Sequence, residues 1–324
     1  MVINQFMITR SSSLLKDSAK EKAWARKGST LKQDYKLKGE IRLAKKSVLD
    51  FIRMKKDGEK AAWITAYDFP TGMFAEQAGM DMVLVGDSMG MVLLGYKDTM
   101  PVTMEDCLAH CKAVRRGAPK TWIIGDMPFG SYQTSDQDAV RNAVRFLKEA
   151  DMDCIKLEGG VRVASRIKAI NDAGILVMGH LGLTPQSSGQ LGGFKATGRD
   201  VKTARALIED ALAVQEAGAY SVLIEAVAPE LTGFLTKKLD IPVYSIGAGI
   251  ECDGQLLICG DMLGQFQAFT PKFVKVYANI AETTVDAFKQ FVSEVKNGEF
   301  PTEDHVYPRK DSLEDFQKLF DEYS

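Results

Sequence analysis

The sequence predicts a (β/α)8 TIM barrel. Seven apolar runs of strand length recur after residue 58, and helical segments separate them. Several of those helices end in a small-residue turn that hands directly to the next run: EQAG before MDMVLV, KEAD before MDCIKL, NDAG before ILVMG and QEAG before AYSVLI. The runs are nearly continuous rather than alternating, as expected of parallel strands covered on both faces. An open doubly wound sheet is the competing architecture. It would be favoured by a G-x-G-x-x-G turn after the first strand, where the chain instead reads TAYDFPTGM.

Taken in order, the first strand is AAWITAYD (61–68), and Asp68 before Phe69-Pro70 reads as a helix N-cap. MDMVLVGD (80–87) follows. TMEDCLAHCKAVRRG (103–117) opens with Thr and has Asp three residues on, which resembles a capping box. TWIIGDMP (121–128), a helix over 134–150, DCIKLEGG (153–160) and ILVMGHLG (175–182) come next. The Gly/Ser/Gln stretch LGLTPQSSGQLGG (181–193) reads as an active-site loop or lid. A long helix over 199–218 leads to SVLIEAVA (221–228) and IPVYSIGAG (241–249). The eighth segment, QLLICGDML (255–263), fits either a strand or a helix.

The composition, 45% hydrophobic and 26% charged, is that of a soluble globular protein, and 324 residues suffice for one large barrel. A net charge of −2 offers no general attraction to nucleic acid or to a membrane surface. No apolar run approaches the roughly 20 residues needed to span a bilayer. Five cysteines without a C-x-x-C pair point to a reducing compartment, and the expected location is the cytoplasm. Residues 1–46 stand apart, with twelve Lys/Arg against four Asp/Glu. They read as a basic extension, poorly ordered or locally helical. The alternative is a mitochondrial presequence, which Asp17 and Glu21 argue against. The barrel is assigned to 47–300 and a charged tail to 301–324.

Chemistry in a parallel β/α fold lies at the carboxyl ends of the strands. Those ends carry Tyr67 and Asp68, Asp87 and Ser88, Asp126, Lys156 and Glu158, His180 and Glu225. Asp87 and Asp126 each follow a glycine that lets the backbone turn close to a ligand. Glu158 and Glu225 stand within apolar text, where an uncompensated carboxylate is costly. Several carboxylates converging on one mouth repel unless a cation or a shared proton relieves them. Oxygen donors without thiolates suit Mg²⁺. Lys156 alternates with Glu158 and is expected to face the same interior and to meet an anionic substrate there. The stretch Gly86-Asp87-Ser88-Met89-Gly90 also fits the G-x-S-x-G nucleophile elbow, but the helix that motif requires is not evident after Ser88. Cys107, His110 and Cys111 share a helical face that resembles zinc ligation, but a buried face is the simpler reading. Gly247-Ala248-Gly249 fits a phosphate cradle and a tight turn equally.

The blocks ITAYD, VGDSMG, PVTMEDCLAHCKAVRRGAP, GDMPFGSY, IKLEGG, GHLGLTPQS with LGGFKATGR, and SIGAG followed by CDGQLL closely resemble the ketopantoate (3-methyl-2-oxobutanoate) hydroxymethyltransferase family, in the family's order, over about residues 47–300. The resemblance implies a barrel of the phosphoenolpyruvate/pyruvate type that uses Mg²⁺. It further implies one-carbon transfer from 5,10-methylenetetrahydrofolate to the 2-oxo acid 3-methyl-2-oxobutanoate, giving 2-dehydropantoate for pantothenate and coenzyme A synthesis. By matching motif, Asp87 and Asp126 would ligate the metal, with Glu158 joining directly or through water. Ser88 and Lys156 would hydrogen-bond the oxoacid, Tyr67 and His180 would line the pocket, and Glu225 would be the catalytic acid/base. Family members also imply a homo-oligomer, a decamer of paired five-membered rings. The chain departs from the family at its ends, in the basic leader and in EDHVYPRK near residue 305. A related Mg²⁺-dependent aldolase or lyase acting on another 2-oxo acid would keep the same metal and oxoacid residues. A non-catalytic relative would have lost some of the acids, and all are present.

Overall fold

The computed structural model describes residues 45–324. Eight parallel strands close in chain order: β1 (Ala61–Thr65), β2 (Met82–Val85), β3 (Trp122–Asp126), β4 (Cys154–Glu158), β5 (Val177–Gly182), β6 (Ser221–Glu225), β7 (Val243–Ile246) and β8 (Gly254–Leu257). β8 returns to β1 in the register Ala61↔Gly254 to Ile64↔Leu257, so the sheet has no edge and the open-sheet alternative is excluded. The eighth segment turns out to be both things in succession: β8, then a helical turn at Cys259–Met262. Each strand is shorter than the apolar run that announced it. At several carboxyl ends the chain has already left the sheet for a loop, and Tyr67, Asp87 and Ser88 stand in such loops.

Alternation along the strands sorts the side chains into two cores. Val83, Val85, Ile123, Ile155, Val177 and Val222 face outward onto the surrounding helices, where they meet Cys107, Cys111, Val114, Phe146 and Val214. Trp63, Met82, Leu84, Ile124, Met178, Leu223 and Ile246 fill the barrel interior. The helix entries follow local rules. Asp68 caps helix Phe69–Gln77 by accepting from the Thr71 N–H at 2.7 Å. Thr103 and Asp106 form a capping box at the start of helix Met104–Gly117.

The amino-terminal end of the barrel is closed by helix Val48–Asp57. Asp50 accepts from the Ser47 N–H at 2.7 Å at its start, and Gly58 stops it with φ 73°. Its buried face presents Phe51 and Met54 to the inner core, with Phe51 edge-on to Trp122 at 5.5 Å between ring centroids. Lysines on and before this helix reach acids that precede three strands: Lys45 to Asp153 at 2.5 Å, Lys46 to Asp81 at 2.9 Å and Lys55 to Asp253 at 2.9 Å. Lys45 and Lys46, read as part of the basic extension, thus pair with the barrel. The rest of that extension lies outside the described residues.

Beyond β8 the chain behaves differently. Helix Ile280–Asn297 has no buried residue, so the segment read as barrel up to residue 300 includes a helix that does not pack onto it. The segment read as a charged tail contains helix Leu313–Glu322, whose cap Ser312 accepts from the Asp315 N–H at 3.1 Å. Among the described residues no helix is long and apolar enough to cross a membrane.

Because Phe51 is 1% exposed and closes the inner core, Phe51→Ala leaves a cavity under Trp122. The expected loss is about 3–5 kcal/mol, read from the urea midpoint. A loss below about 1 kcal/mol would show that this helix does not close the core.

Candidate active site

The carboxyl ends of the strands gather Tyr67 after β1, Asp87 and Ser88 after β2, Asp126 at the end of β3, Lys156 and Glu158 on β4, His180 on β5 and Glu225 at the end of β6. The register sets Asp126 beside Lys156 and Glu158 beside His180. Asp87, Asp126, Lys156, Glu158 and His180 are buried, whereas Glu225 keeps 15% of its side chain exposed. Ala226 follows at φ 49°, an uncommon left-handed conformation for a residue with a side chain, and turns the chain sharply just past Glu225.

These groups form a continuous chain of charges. Lys156 Nζ lies 2.7 Å from Asp126 Oδ1 and 3.7 Å from Glu158 Oε1. His180 Nδ1 lies 3.2 Å from Glu158 Oε1, and its Nε2 lies 3.1 Å from Glu225 Oε2. Asp126 Oδ1 and His180 Nε2 nevertheless lack a well-directed hydrogen bond, so these two contacts are ion pairs set by distance rather than by alignment. Asp126 Oδ2 accepts from the Asp87 N–H at 3.0 Å.

The electrostatics follow from burial and neighbours. Burial, then the charges of Asp126 and Glu158, push the Asp87 carboxyl well above the usual range. Burial also raises Asp126, against the pull of Lys156. Burial opposes the charge on Glu158, yet the His180 hydrogen bond and the Lys156 charge hold its pKa below the ordinary value. For Lys156, burial is outweighed by the carboxylates of Asp126, Glu158 and Asp87, so its pKa rises. For His180, burial and the Lys156 charge are outweighed by Glu158 and Glu225, and its pKa rises to about 9. His180 is then an imidazolium at neutral pH, and its 3.4 Å approach to Lys156 Nζ is a contact of two cations held together by carboxylates.

With all four carboxylates ionised, these two cations leave the cluster short of two positive charges, and the raised Asp87 and Asp126 express the same deficit as a tendency to hold a proton. An all-oxygen donor set with an excess of buried negative charge fits a hard divalent cation. Among the described residues no three His, Cys, Asp or Glu side chains stand ready to surround a metal. Mg²⁺ does not need them, since one or two protein carboxylates suffice when water and substrate oxygens complete the octahedron. Asp87 and Asp126 suit that role. Glu158 already holds His180 through one oxygen and the Gln186 N–H, at 3.0 Å, through the other. A water-mediated part leaves both of those bonds intact.

Gln186 is the residue that sequence reasoning did not single out. It sits in the 3-10 turn Pro185–Ser187 of the long loop after β5. Its Nε2 donates to Asp87 Oδ2 at 2.8 Å and to the Met127 carbonyl at 3.0 Å. Tyr132, equally unmarked, donates to Gln186 Oε1 at 2.6 Å, and its hydroxyl accepts from the Glu158 N–H at 3.1 Å. The only signal was the loop's length and polar character; nothing in its text separates Gln186 from Gln190.

Ser88 is no elbow nucleophile. It has ordinary right-handed helical dihedrals, φ −52°, at the start of a four-residue helix, and its Oγ pairs with the Tyr67 hydroxyl at 2.9 Å rather than with a histidine. Cys107 and Cys111 lie in the outer core with their thiols pushed up by burial, while His110 donates to the Tyr67 carbonyl. That helix face is structural. Of the two glycines before the acids, only Gly86 borders the site, where a Cβ would lie 2.9 Å from Ser88 Oγ. Gly125 faces outward, and its Cβ would lie 2.5 Å from the Phe146 ring, so it serves helix packing. Gly247 has φ 67°, and the Phe273 ring would lie 2.5 Å from a Cβ placed there, so Phe273 fills the concavity that a phosphate would need.

The sequence profile described as ketopantoate hydroxymethyltransferase matches residues 45–303. The chain belongs to this family. A 3-methyl-2-oxobutanoate hydroxymethyltransferase of Alkaliphilus metalliredigens (strain QYMF) is 73% identical over 279 residues, 86% of this chain and 99% of that protein. One from Desulfotalea psychrophila is 50% identical over 263 residues, 81% of this chain and 94% of that protein. The chain is thus an enzyme of the hydroxymethyltransferase type. Among solved structures, a phosphoenolpyruvate phosphomutase from Streptomyces platensis subsp. rosaceus superposes with a TM-score of 0.53 at 16% identity, covering 85% of this chain and 94% of the other. A 2,3-dimethylmalate lyase, a member of the PEP mutase/isocitrate lyase superfamily, gives 0.51 at 14% identity over 86% and 95%. At these identities the likeness is one of fold.

His180 yields a pH prediction. Its folded pKa of about 9 lies above the ordinary 6.5. The stability it contributes is therefore fully present below pH 6.5 and is lost as the pH rises through about 9. Nitrogen NMR at pH 7.5 is expected to show both ring nitrogens of His180 protonated. A neutral tautomer at that pH would overturn the charge assignment.

Proposed function

We propose that the barrel mouth transfers a hydroxymethyl group from 5,10-methylenetetrahydrofolate to 3-methyl-2-oxobutanoate, giving 2-dehydropantoate, through enolisation of the oxoacid. The observation that carries this reading is the placement of a partly exposed carboxylate, Glu225, beside a buried cluster of Asp87, Asp126, Glu158, Lys156 and His180 in which carboxylates outnumber cations. Mg²⁺, held by Asp87 and Asp126 with Glu158 joining directly or through water, would supply Lewis-acid polarisation of the oxoacid's keto oxygen.

The side chains divide the remaining work. Lys156, a buried cation, draws the anionic oxoacid into the mouth and donates to it. Ser88, held by Tyr67, donates a hydrogen bond to the same substrate. Glu225 takes the proton from C3. His180 fixes the orientation of Glu225 through Nε2 and is itself fixed by Glu158 through Nδ1. Water adds to the donor's methylene carbon, both carbon–nitrogen bonds to tetrahydrofolate break, and the two nitrogens take up the water's protons. C3 then bonds to the one-carbon carbonyl so released, and Glu225 returns its proton to that oxygen, which becomes the product's hydroxyl.

The same reading makes the enzyme a cytoplasmic homo-oligomer, a decamer if it follows its family. The five free cysteines, all buried, fit a reducing compartment. Helix Ile280–Asn297 supports self-association, since its apolar side chains Val285, Phe288, Val292 and Val295 are between 47% and 66% exposed. An apolar stripe of that extent marks an interaction surface. Sedimentation at micromolar concentration is expected to show a large assembly. Phe288→Glu with Val292→Glu is expected to shift it to smaller species, and a monomeric parent would contradict the proposal.

Asp87→Asn and Asp126→Asn are each expected to nearly abolish turnover without unfolding the chain, and full activity of the parent in excess chelator would overturn the metal assignment. Glu225→Gln is expected to stop exchange of the C3 proton with deuterated water, even without folate, while oxoacid binding persists. Ser88→Ala is expected to weaken apparent oxoacid affinity by about 1 kcal/mol or somewhat more while exchange at saturation survives. Equal loss of exchange in both variants would refute this division of roles.

A further inference from the structure

A cavity of about 450 Å³ opens beside Ser88 and Glu225, and it contains a carboxylate that the chemistry above does not use. Asp261, in the helical turn Cys259–Met262, lines this cavity and is 6% exposed. Its side chain has no hydrogen-bond partner among the described residues, and burial alone pushes its pKa up to about 6, so it is charged at neutral pH. Thr99 lines the same cavity, is 2% exposed, and its hydroxyl is likewise unpartnered. The remaining wall is largely apolar and includes Phe194, Phe266, Phe269 and Phe273, with Phe266 edge-on to Phe269 at 5.3 Å; Lys272, the one cation on it among the described residues, makes no ion pair with Asp261.

An ionised carboxylate enclosed by phenylalanines is unfavourable unless something else completes it. The oxoacid cannot, being an anion without an N–H donor, and Asp261 repels it. The complementary ligand is flat, fits between aromatic rings and offers two adjacent N–H donors to the two carboxylate oxygens. A pterin has that edge, with its ring amide N–H next to its exocyclic amino group.

We infer that Asp261 receives the aminopyrimidinone edge of the one-carbon donor's pterin, with the phenylalanines enclosing the ring and Thr99 offering a further hydrogen bond. This rests on the folate donor proposed above. The opposite side of the bicycle, which carries the one-carbon unit, then points towards Ser88 and Glu225. The arrangement gives the two substrates separate anchors, positive for the oxoacid at Lys156 and negative for the donor at Asp261. Asp261 selects against the oxoacid by charge.

The test measures tetrahydrofolate binding to the full chain by calorimetry, alongside C3 proton exchange of 3-methyl-2-oxobutanoate without folate. Asp261→Asn keeps the shape but replaces one acceptor oxygen by a donor, so tetrahydrofolate affinity is expected to fall at least about tenfold. Proton exchange should stay within about twofold of the parent, which also reports an intact barrel. A tetrahydrofolate analogue lacking the 2-amino group should bind the parent as weakly as tetrahydrofolate binds Asp261→Asn, and should lose little more on that variant, the non-additivity expected of a direct contact. Unchanged tetrahydrofolate affinity in Asp261→Asn, or additive losses with the analogue, would overturn the inference. So would parallel loss of exchange. A parent that exchanges the C3 proton but binds no tetrahydrofolate would instead overturn the donor reading itself.

Discussion

Excess buried negative charge is the constraint on which the site depends. Asp87, Asp126, Glu158 and Glu225 are drawn to one end of a closed sheet, and only Lys156 and His180 stand among them as cations. Such a cluster persists only if each carboxylate is individually held. Asp126 holds the Asp87 backbone, Gln186 holds Asp87, and His180 bridges Glu158 to Glu225. Under the proposed reaction, the same deficit would favour a divalent cation and an anionic oxoacid arriving together, because the pair would bring positive charge in excess.

The barrel divides its labour along its axis. Its interior beneath the polar layer is packed with Trp63, Met82, Trp122, Ile124 and Tyr244 and closed by Phe51. A rigid apolar base is what permits the mouth to hold unfavourable charges in fixed places. Lys156 shows the coupling directly. It stands on β4 two residues above Cys154, which belongs to the inner core, so the packing of the interior sets the position of the charge.

The mouth presents two opposite environments. Towards Lys156 and Asp126 the walls are charged and almost wholly buried. Towards Phe266, Phe269 and Phe273 they are largely apolar, with Ser88, Thr99, Asp261 and Lys272 as polar groups. Glu225 borders both, with one oxygen on His180 and part of its side chain open to the cavity. Under the proposed reaction, a base shared between a small anion and a large flat donor would have to stand where the two environments meet.

The sequence by itself determined the barrel and most of the acids. Parallel strands covered on both faces must be continuously apolar, so a polar residue near the carboxyl end of such a run, like Asp126, Glu158 or His180, is visible in one dimension. The motif blocks carried the family for the same reason, since short local segments hold these residues. What the tertiary structure decided is which groups touch. Gln186 reaches Asp87 across 99 positions of chain, and no local pattern encodes that contact. Asp261 read as part of an ambiguous strand or helix, and only the closure of β8 onto β1 sets it in the cavity beside Glu225. The protonation of His180 and the fate of Ser88 also waited on the fold. Both depend on which neighbours lie within about 3 Å, and that distance is set by packing rather than by order along the chain.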